Sequence, residues 1–180
     1  MKTFIIDVII FALIMVIFLV GLPRQDDTVL MRDADIVVDR PTGGVRLYER
    51  INKLEDGSVT KTFSYRAIVN GSFDGFAFCM PTYNRTDSEA TLSVYKWEGS
   101  YSATVAKSPI ATQKFAPLKD NAVNYVSFDA QPAGEYLFHI SDPKGQVGVW
   151  TNQNPTDSKG FLYLNGTEQR GEPELYVFFE

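Results

Sequence analysis

Aromatic residues beside amide and hydroxyl side chains are the part of this sequence best suited to ligand binding. Trp97 ends an alternating apolar run, and a polar stretch containing Tyr101 follows it. Trp150 ends a second run and leads into Thr151-Asn152-Gln153-Asn154. Aromatic faces pack against the C–H groups of a sugar, while amide groups bond its hydroxyls. The pattern therefore predicts Trp97, Tyr101, Trp150 and Asn152 as glycan-binding residues. The alternative for each ring is ordinary packing at a sheet edge.

Catalytic motifs are missing from this sequence, and we expect it not to be an enzyme. It contains one histidine, His139, within the run Glu135–Ile140, whose pattern predicts a strand. A Ser-His-Asp triad would need that residue, yet no Gly-x-Ser-x-Gly elbow, glycine-rich phosphate loop or dinucleotide fingerprint occurs. We interpret His139 as a buried, hydrogen-bonded structural residue. Two of the 22 acidic residues could serve a glycosidase, so a small hydrolase stays open as the last-ranked hypothesis.

Three aspartates in or beside turn segments, Asp120, Asp129 and Asp142, are candidates for a structural calcium site. Calcium prefers hard oxygen ligands. No Asp-x-Asp-x-Asp-Gly loop occurs, so the default interpretation of all three is solvated surface acid. No other cofactor is expected.

The sequence has two kinds of residue that could be covalently modified: a single cysteine and the asparagines of three glycosylation sequons. Cys79 lies in the apolar run Phe76–Met80, which predicts a buried core residue and excludes an internal disulfide. The sequons begin at Asn70, Asn84 and Asn165, and they matter where the source glycosylates asparagine.

The N-terminal segment predicts a membrane anchor. Residues 4–22 form a 19-residue apolar stretch whose only charge is Asp7. As a helix it is long enough to cross a hydrocarbon core of about 30 Å. The positive charge of Lys2 favours an N-terminus on the cytoplasmic side of the membrane. This orientation places the rest of the chain outside the cytoplasm, at the cell surface. A cleaved signal peptide is the alternative, although the stretch is long for one and lacks an Ala-x-Ala site.

Asp7 allows two interpretations of this helix. A carboxylate about one turn from the helix end can be hydrated at the membrane interface. It can also pair within a helical bundle, as in type IV pilins, which the segment resembles in placing an acid early in an apolar helix. The segment differs from pilins because its leader is very short and no glycine precedes Phe4. A pilin-like or envelope subunit that oligomerises through this helix is therefore the alternative function.

The remaining sequence predicts one all-β domain. The net charge is −5 and the 17 Lys and Arg residues are scattered, so no cationic stripe exists for nucleic acid. Short apolar or alternating runs are separated by turn signals such as Asn165-Gly166. This spacing is typical of an antiparallel β-sandwich of the jelly-roll kind. We expect an anchor helix over 1–25, a polar lead-in over 26–44 and a sandwich over 45–180. The runs are 45–51, 60–69, 73–80, 91–97, 111–115, 123–128, 135–140, 147–150, 160–164 and 174–179.

A set of ordered motifs carries a family resemblance. The motifs are Leu92-Ser93-Val94-Tyr95-Lys96-Trp97, Tyr101-Ser102-Ala103-Thr104-Val105-Ala106, Pro109-Ile110-Ala111, Asp120-Asn121-Ala122, Pro132-Ala133-Gly134-Glu135-Tyr136-Leu137-Phe138 and Val147-Gly148-Val149-Trp150. In this order they resemble β-sandwich accessory domains found beside bacterial glycoside hydrolases and other secreted carbohydrate-active enzymes, over residues 73–180 and best over 91–150. The resemblance implies a jelly-roll or galactose-binding-like sandwich that is non-catalytic and contacts glycans. The favoured function is an anchored module that binds a glycan or another surface polymer.

Overall fold

The computed structural model describes residues 34–36, 43–48, 60–155 and 160–180. All of them lie in one compact unit, Asp33–Glu180. The described residues form antiparallel strands and one short helix. The elements are β1 (Ala34–Ile36), β2 (Gly43–Tyr48), β3 (Phe63–Val69), β4 (Phe73–Met80), β5 (Glu89–Lys96), α1 (Tyr101–Val105), β6 (Ala111–Phe115), β7 (Ala122–Gln131), β8 (Gly134–Lys144), β9 (Val147–Asn152), β10 (Gly160–Leu164), β11 (Thr167–Gln169), β12 (Glu172–Pro173) and β13 (Leu175–Phe179).

The strands build three antiparallel sheets. A six-stranded sheet has the order β11-β10-β3-β8-β5-β6, and a four-stranded sheet has the order β1-β13-β4-β7. A three-stranded sheet, β12-β9-β2, completes the fold. The prediction of an all-β, antiparallel, sandwich-like domain is therefore confirmed.

Aromatic side chains fill the core between the two larger sheets. Phe63 of β3 meets Phe78 of β4 edge to face, with 6.2 Å between ring centroids. Phe76 of β4 packs on Phe138 of β8 at 5.2 Å. These side chains are fully buried, and aromatic burial of this kind supplies much of the hydrophobic stabilisation of a sandwich core.

Side-chain alternation along β5 follows the sequence pattern. Leu92 and Val94 are fully buried in the core. Ser93 and Tyr95 point to the opposite side, where Ser93 Oγ lies 2.8 Å from Thr112 Oγ1 of β6. The six-stranded sheet thus has one apolar face in the core and one outer face that carries polar and aromatic groups.

Helix α1 and the two short strands β11 and β12 were not predicted. Ser100 begins α1 because its Oγ accepts a hydrogen bond from Ala103 N at 3.2 Å. A five-residue helix has no room for an amphipathic period, so the sequence around Tyr101 resembles a polar loop. Strands of two or three residues carry too few side chains to show alternation.

The expected anchor helix over 1–25, with Asp7, lies outside the described residues. Of the expected lead-in over 26–44, residues 34–36 and 43–44 are described, and they belong to β1 and β2. Within the described part of the chain, no helix has the length and apolar character needed to cross a membrane.

Candidate binding face

The outer side of the six-stranded sheet brings together residues that are far apart in sequence. Strand register places Phe161 of β10 opposite Arg66 of β3, and Tyr163 opposite Ser64. It also places Ser64 opposite His139 of β8. Directly opposed residues in an antiparallel pair project to the same side, so β10, β3 and β8 contribute to one continuous surface.

Four rings on this surface, Trp97, Tyr101, Phe161 and Tyr163, form what we call the aromatic face. Tyr163 lies between two of them: its centroid is 6.2 Å from that of Trp97 and 5.3 Å from that of Tyr101. The planes differ by only 29° and 30°. Tyr163 is buried, whereas Trp97 and Tyr101 are half-buried and Phe161 is exposed. The structure thus brings the predicted residues Trp97 and Tyr101 together through a third ring.

Arg66 is the polar centre of the aromatic face. Its guanidinium carbon lies 4.6 Å from the Trp97 ring centroid and 5.1 Å from that of Phe161. Its Nε and Nη2 both donate to Glu135 Oε2, at 3.0 and 2.6 Å. Rings attract a guanidinium through their electron-rich faces, and the carboxylate fixes its orientation. Arg66 therefore organises the two rings as well as pairing with the acid.

A turn positions Tyr101 on this face. Asn165 and Gly166, between β10 and β11, have φ values of 50° and 79°, which confirms the predicted Asn-Gly turn. A Cβ on Gly166 would lie 2.8 Å from Tyr101 Cε1. Glycine is therefore required both for the backbone conformation and for the close approach of the tyrosine ring.

Beneath the rings lies a buried polar pair. Ser64 Oγ and His139 Nδ1 are 2.7 Å apart, and the rings of Tyr95 and Tyr101 pack around the imidazole at 5.9 and 6.4 Å. Burial lowers the pKa of His139 to about 4, and the nearby Asp142 carboxylate opposes that shift. His139 is thus buried and hydrogen-bonded, in agreement with the structural interpretation.

The other two predicted ligand residues lie on a different sheet. Trp150 and Asn152 belong to β9 of the three-stranded sheet. Trp150 Nε1 donates to Asn121 Oδ1 at 2.9 Å, and Asn152 Oδ1 accepts from Asn154 N at 3.1 Å. The predicted set of four residues is therefore divided between two places in the fold.

The aspartates named for calcium occupy separate positions. Asp120 Oδ1 accepts hydrogen bonds from the backbone N–H groups of Thr82 and Tyr83, at 2.6 and 2.8 Å, and these bonds lower its pKa. Asp129 lies in β7 and Asp142 in β8. Among the described residues, no group of three or more His, Cys, Asp or Glu side chains is arranged to hold a metal ion.

The modification candidates differ in their surroundings. Asn70, Asn84 and Asn165 are all exposed, and Asn165 Oδ1 accepts from the backbone N–H groups of Lys61 and Thr62, at 2.7 and 3.2 Å. Cys79 is a buried free thiol, as predicted. Burial, with smaller effects of Glu174 and Asp120, raises its pKa to about 11.

Sequence reasoning missed four members of the site: Arg66, Glu135, Phe161 and Tyr163. Each lies in a run that was correctly predicted to be a strand. Their common face depends on the pairing of β3 with β10 and with β8, and no local pattern encodes that pairing. The available signal was the spacing of Phe161 and Tyr163, which places both rings on one side of β10.

Comparisons with known proteins do not assign this chain to a family. A scan with protein-family models and a search of curated proteins each gave no match to this sequence.

Proposed function

We propose that this domain is a non-catalytic binding module whose aromatic face recognises a glycan. The supporting observation is that both exposed large hydrophobic side chains among the described residues lie on this side of the six-stranded sheet. Ile68 is 61% exposed and Phe161 is 44% exposed, and they flank Arg66 on β3 and β10. Exposed apolar surface grouped in one place marks an interaction site.

The chemistry of the face suits a sugar. A pyranose ring presents apolar C–H groups on one side and hydroxyls around its rim. The exposed surfaces of Phe161 and Trp97 offer aromatic contact, and the Arg66–Glu135 pair next to them offers a donor and an acceptor. The finer fold proposal, a jelly-roll or galactose-binding-like accessory domain, rests on the sequence resemblance over residues 73–180, and a position outside the cytoplasm rests on the apolar segment 4–22.

Retention on a panel of immobilised polysaccharides, followed by titration calorimetry on any that bind, tests the proposal. Phe161→Ala is expected to weaken binding by about five- to thirtyfold, since one aromatic contact is worth about 1–2 kcal/mol. Ile68→Ala removes exposed apolar surface without an aromatic ring, so it is the matched control and is expected to cost less. Wild-type affinity in Phe161→Ala, or no retention on any polysaccharide, would contradict the proposal.

Trp150→Ala separates the two clusters that the sequence suggested. If the aromatic face is the site, this variant retains wild-type affinity, because Trp150 lies on the three-stranded sheet. Loss of binding in Trp150→Ala but not in Phe161→Ala would move the site to β9.

The second candidate function is an assembly subunit, and the same face supports it. Trp, Phe and Arg side chains are enriched at protein–protein interfaces, so copies of this chain could pack through the aromatic face as well as through the proposed anchor helix. Sedimentation of the detergent-solubilised full chain tests this. Oligomers that dissociate in Phe161→Ala or Asp7→Ala would favour assembly, and a monomer would exclude it.

The membrane anchor over residues 1–25 and the position of the domain outside the cytoplasm remain proposals from the sequence. Determination of the mature N-terminus tests them. An intact Met1 or Lys2 supports an anchor, a start at Phe4 indicates pilin-like processing, and a start after Gly21 indicates secretion.

A further inference from the structure

The charge on the aromatic face is neutralised within the face itself. Among the described residues, Arg66 is the only cationic side chain whose charge lies over the rings of this face. Two of its N–H groups are engaged by one oxygen of Glu135, and the two side chains are 25% and 39% exposed. The pair therefore presents little net charge to a ligand.

The other cations of this sheet lie against groups outside the aromatic face. Lys114 and Lys144 both lie against Glu89 Oε2, at 2.8 and 3.2 Å, so that cluster has one excess positive charge, and Lys96 Nζ lies 5.4 Å from the Tyr136 ring centroid. Glu168 adds a carboxylate beside Tyr163, with 3.5 Å between its Oε2 and the phenol oxygen. Because Arg66 already offsets Glu135, Glu168 gives the aromatic face a negative charge, and an anionic polymer would also meet a chain with a net charge of −5.

The same pair can recognise hydroxyl groups. Arginine has five N–H donors, so Arg66 keeps N–H groups beyond those used on Glu135 and on the Tyr163 phenol oxygen. Within the described residues, both hydrogen bonds to the Glu135 carboxylate end on Oε2, which leaves Oε1 as an acceptor. Neighbouring hydroxyls of a sugar could donate to the carboxylate and accept from the guanidinium while the ring lies on Phe161 or Trp97.

We infer that the ligand class is an uncharged glycan, selected by the Arg66–Glu135 pair between Trp97 and Phe161. This inference rests on the proposed function and narrows it. It excludes uronate-containing and sulfated polymers as preferred ligands. It also assigns Glu135 a specificity role, because the carboxylate both cancels the arginine charge and accepts a hydroxyl.

The test compares neutral and anionic polysaccharides on the purified full chain. A β-glucan, a galactan and a mannan serve as neutral probes, and polygalacturonate and chondroitin sulfate as anionic probes. Retention is measured at about 0.02 M and about 0.5 M NaCl, where the screening of exposed charges differs strongly. We expect retention on at least one neutral probe, with less than about a twofold change between the two salt concentrations.

Two variants test the role of the pair. Glu135→Gln keeps the shape of the side chain and removes its charge, so it is expected to weaken neutral binding about tenfold and to increase salt-sensitive retention of the anionic probes. Arg66→Lys keeps the positive charge without the planar fork and is expected to lose neutral binding too. Lys114→Ala on the same sheet is the control and should bind like wild type. Thermal unfolding of each variant establishes that it is folded.

The outcomes distinguish this inference from the proposed function. Salt-sensitive retention of the anionic probes that Phe161→Ala abolishes would overturn the uncharged ligand and leave the aromatic face as the site. Unchanged neutral binding in folded Glu135→Gln would overturn the role of the pair. No retention on any probe would overturn both proposals.

Discussion

The stability of this domain is expected to depend on pH through His139, the single histidine of the chain. The imidazole is 7% exposed, and its Nδ1 lies 2.7 Å from Ser64 Oγ. Burial lowers its pKa from 6.5 to about 4, with Asp142 acting in the opposite direction. The folded protein therefore keeps a neutral imidazole at pH values where the unfolded chain has already taken up a proton.

The sign and size of the effect follow from this difference. Between pH 6.5 and about 4 the unfolded state binds one more proton than the folded state, so the free energy of unfolding falls as the pH falls. Above pH 6.5 the stabilisation is fully present. The gap between the two pKa values corresponds to about 3 kcal/mol, at about 1.4 kcal/mol for each pH unit. Such a loss is a large part of the stability of a typical domain.

Urea unfolding of wild type and His139→Gln at several pH values between about 7.5 and about 4.5 measures the effect. Gln cannot titrate, and its amide can still bond Ser64. Carboxylates that titrate in this range affect both proteins equally, so the difference between the two curves isolates His139. NMR adds a direct measurement, because one histidine gives one imidazole Hε1 signal. Parallel curves for the two proteins, or a signal that titrates near pH 6.5 in the folded state, would refute the reasoning.

Three further predictions concern the fold. Gly160→Ala is expected to cost about 1–3 kcal/mol, because its Cβ would overlap the Arg66 carbonyl oxygen. The control Gly44→Ala, with contacts of 3.4 Å or more, should lose less than about 0.5 kcal/mol in urea unfolding. Cys79, whose thiol pKa is raised to about 11, should react with iodoacetamide only after denaturation, as measured by mass spectrometry. Asp120→Ala should cost about 1–3 kcal/mol by leaving two backbone N–H groups without their acceptor, and Asp120→Asn should cost less in the same thermal or urea assay.

Each of these predictions has a clear contradictory result. If Gly160→Ala and Gly44→Ala have equal free energies of unfolding, the backbone around Gly160 shifts to admit the new Cβ without a loss of stability. Rapid labelling of native Cys79 would mean that the thiol is accessible. Equal losses in Asp120→Ala and Asp120→Asn would assign the effect to charge and not to the capped N–H groups.

The spacing of apolar residues and the turn-forming residues between the apolar runs predicted most of the strands. The bounds of β4, β6 and β10 agree with the predicted runs, because Gly, Asn and Pro residues end each apolar segment sharply. The alternation also predicted that Leu92 and Val94 share one side of β5, and in the structure both are buried in the core. Both signals are local, so a single sequence is enough to show them.

The candidate site could be predicted only in part, since it depends on strand order. Trp97 and Tyr101 were found because polar residues surround them in the sequence. Phe161 and Tyr163 reach the same surface because β10 pairs with β3, about a hundred residues earlier in the chain. The aromatic-amide pattern that named Trp150 gave no indication that β9 belongs to a different sheet.

The four rings of the aromatic face do not carry equal weight as evidence for binding. Tyr163 packs between Trp97 and Tyr101 and is 7% exposed, so replacing any of these three rings would also leave a cavity and alter local stability. Phe161 is 44% exposed, and its removal leaves the buried packing in place. A loss of binding in Phe161→Ala with unchanged stability can therefore be assigned to ligand contact, whereas the same loss in Trp97→Ala would have two explanations. Phe161 is thus the residue on which the proposed function is most directly tested.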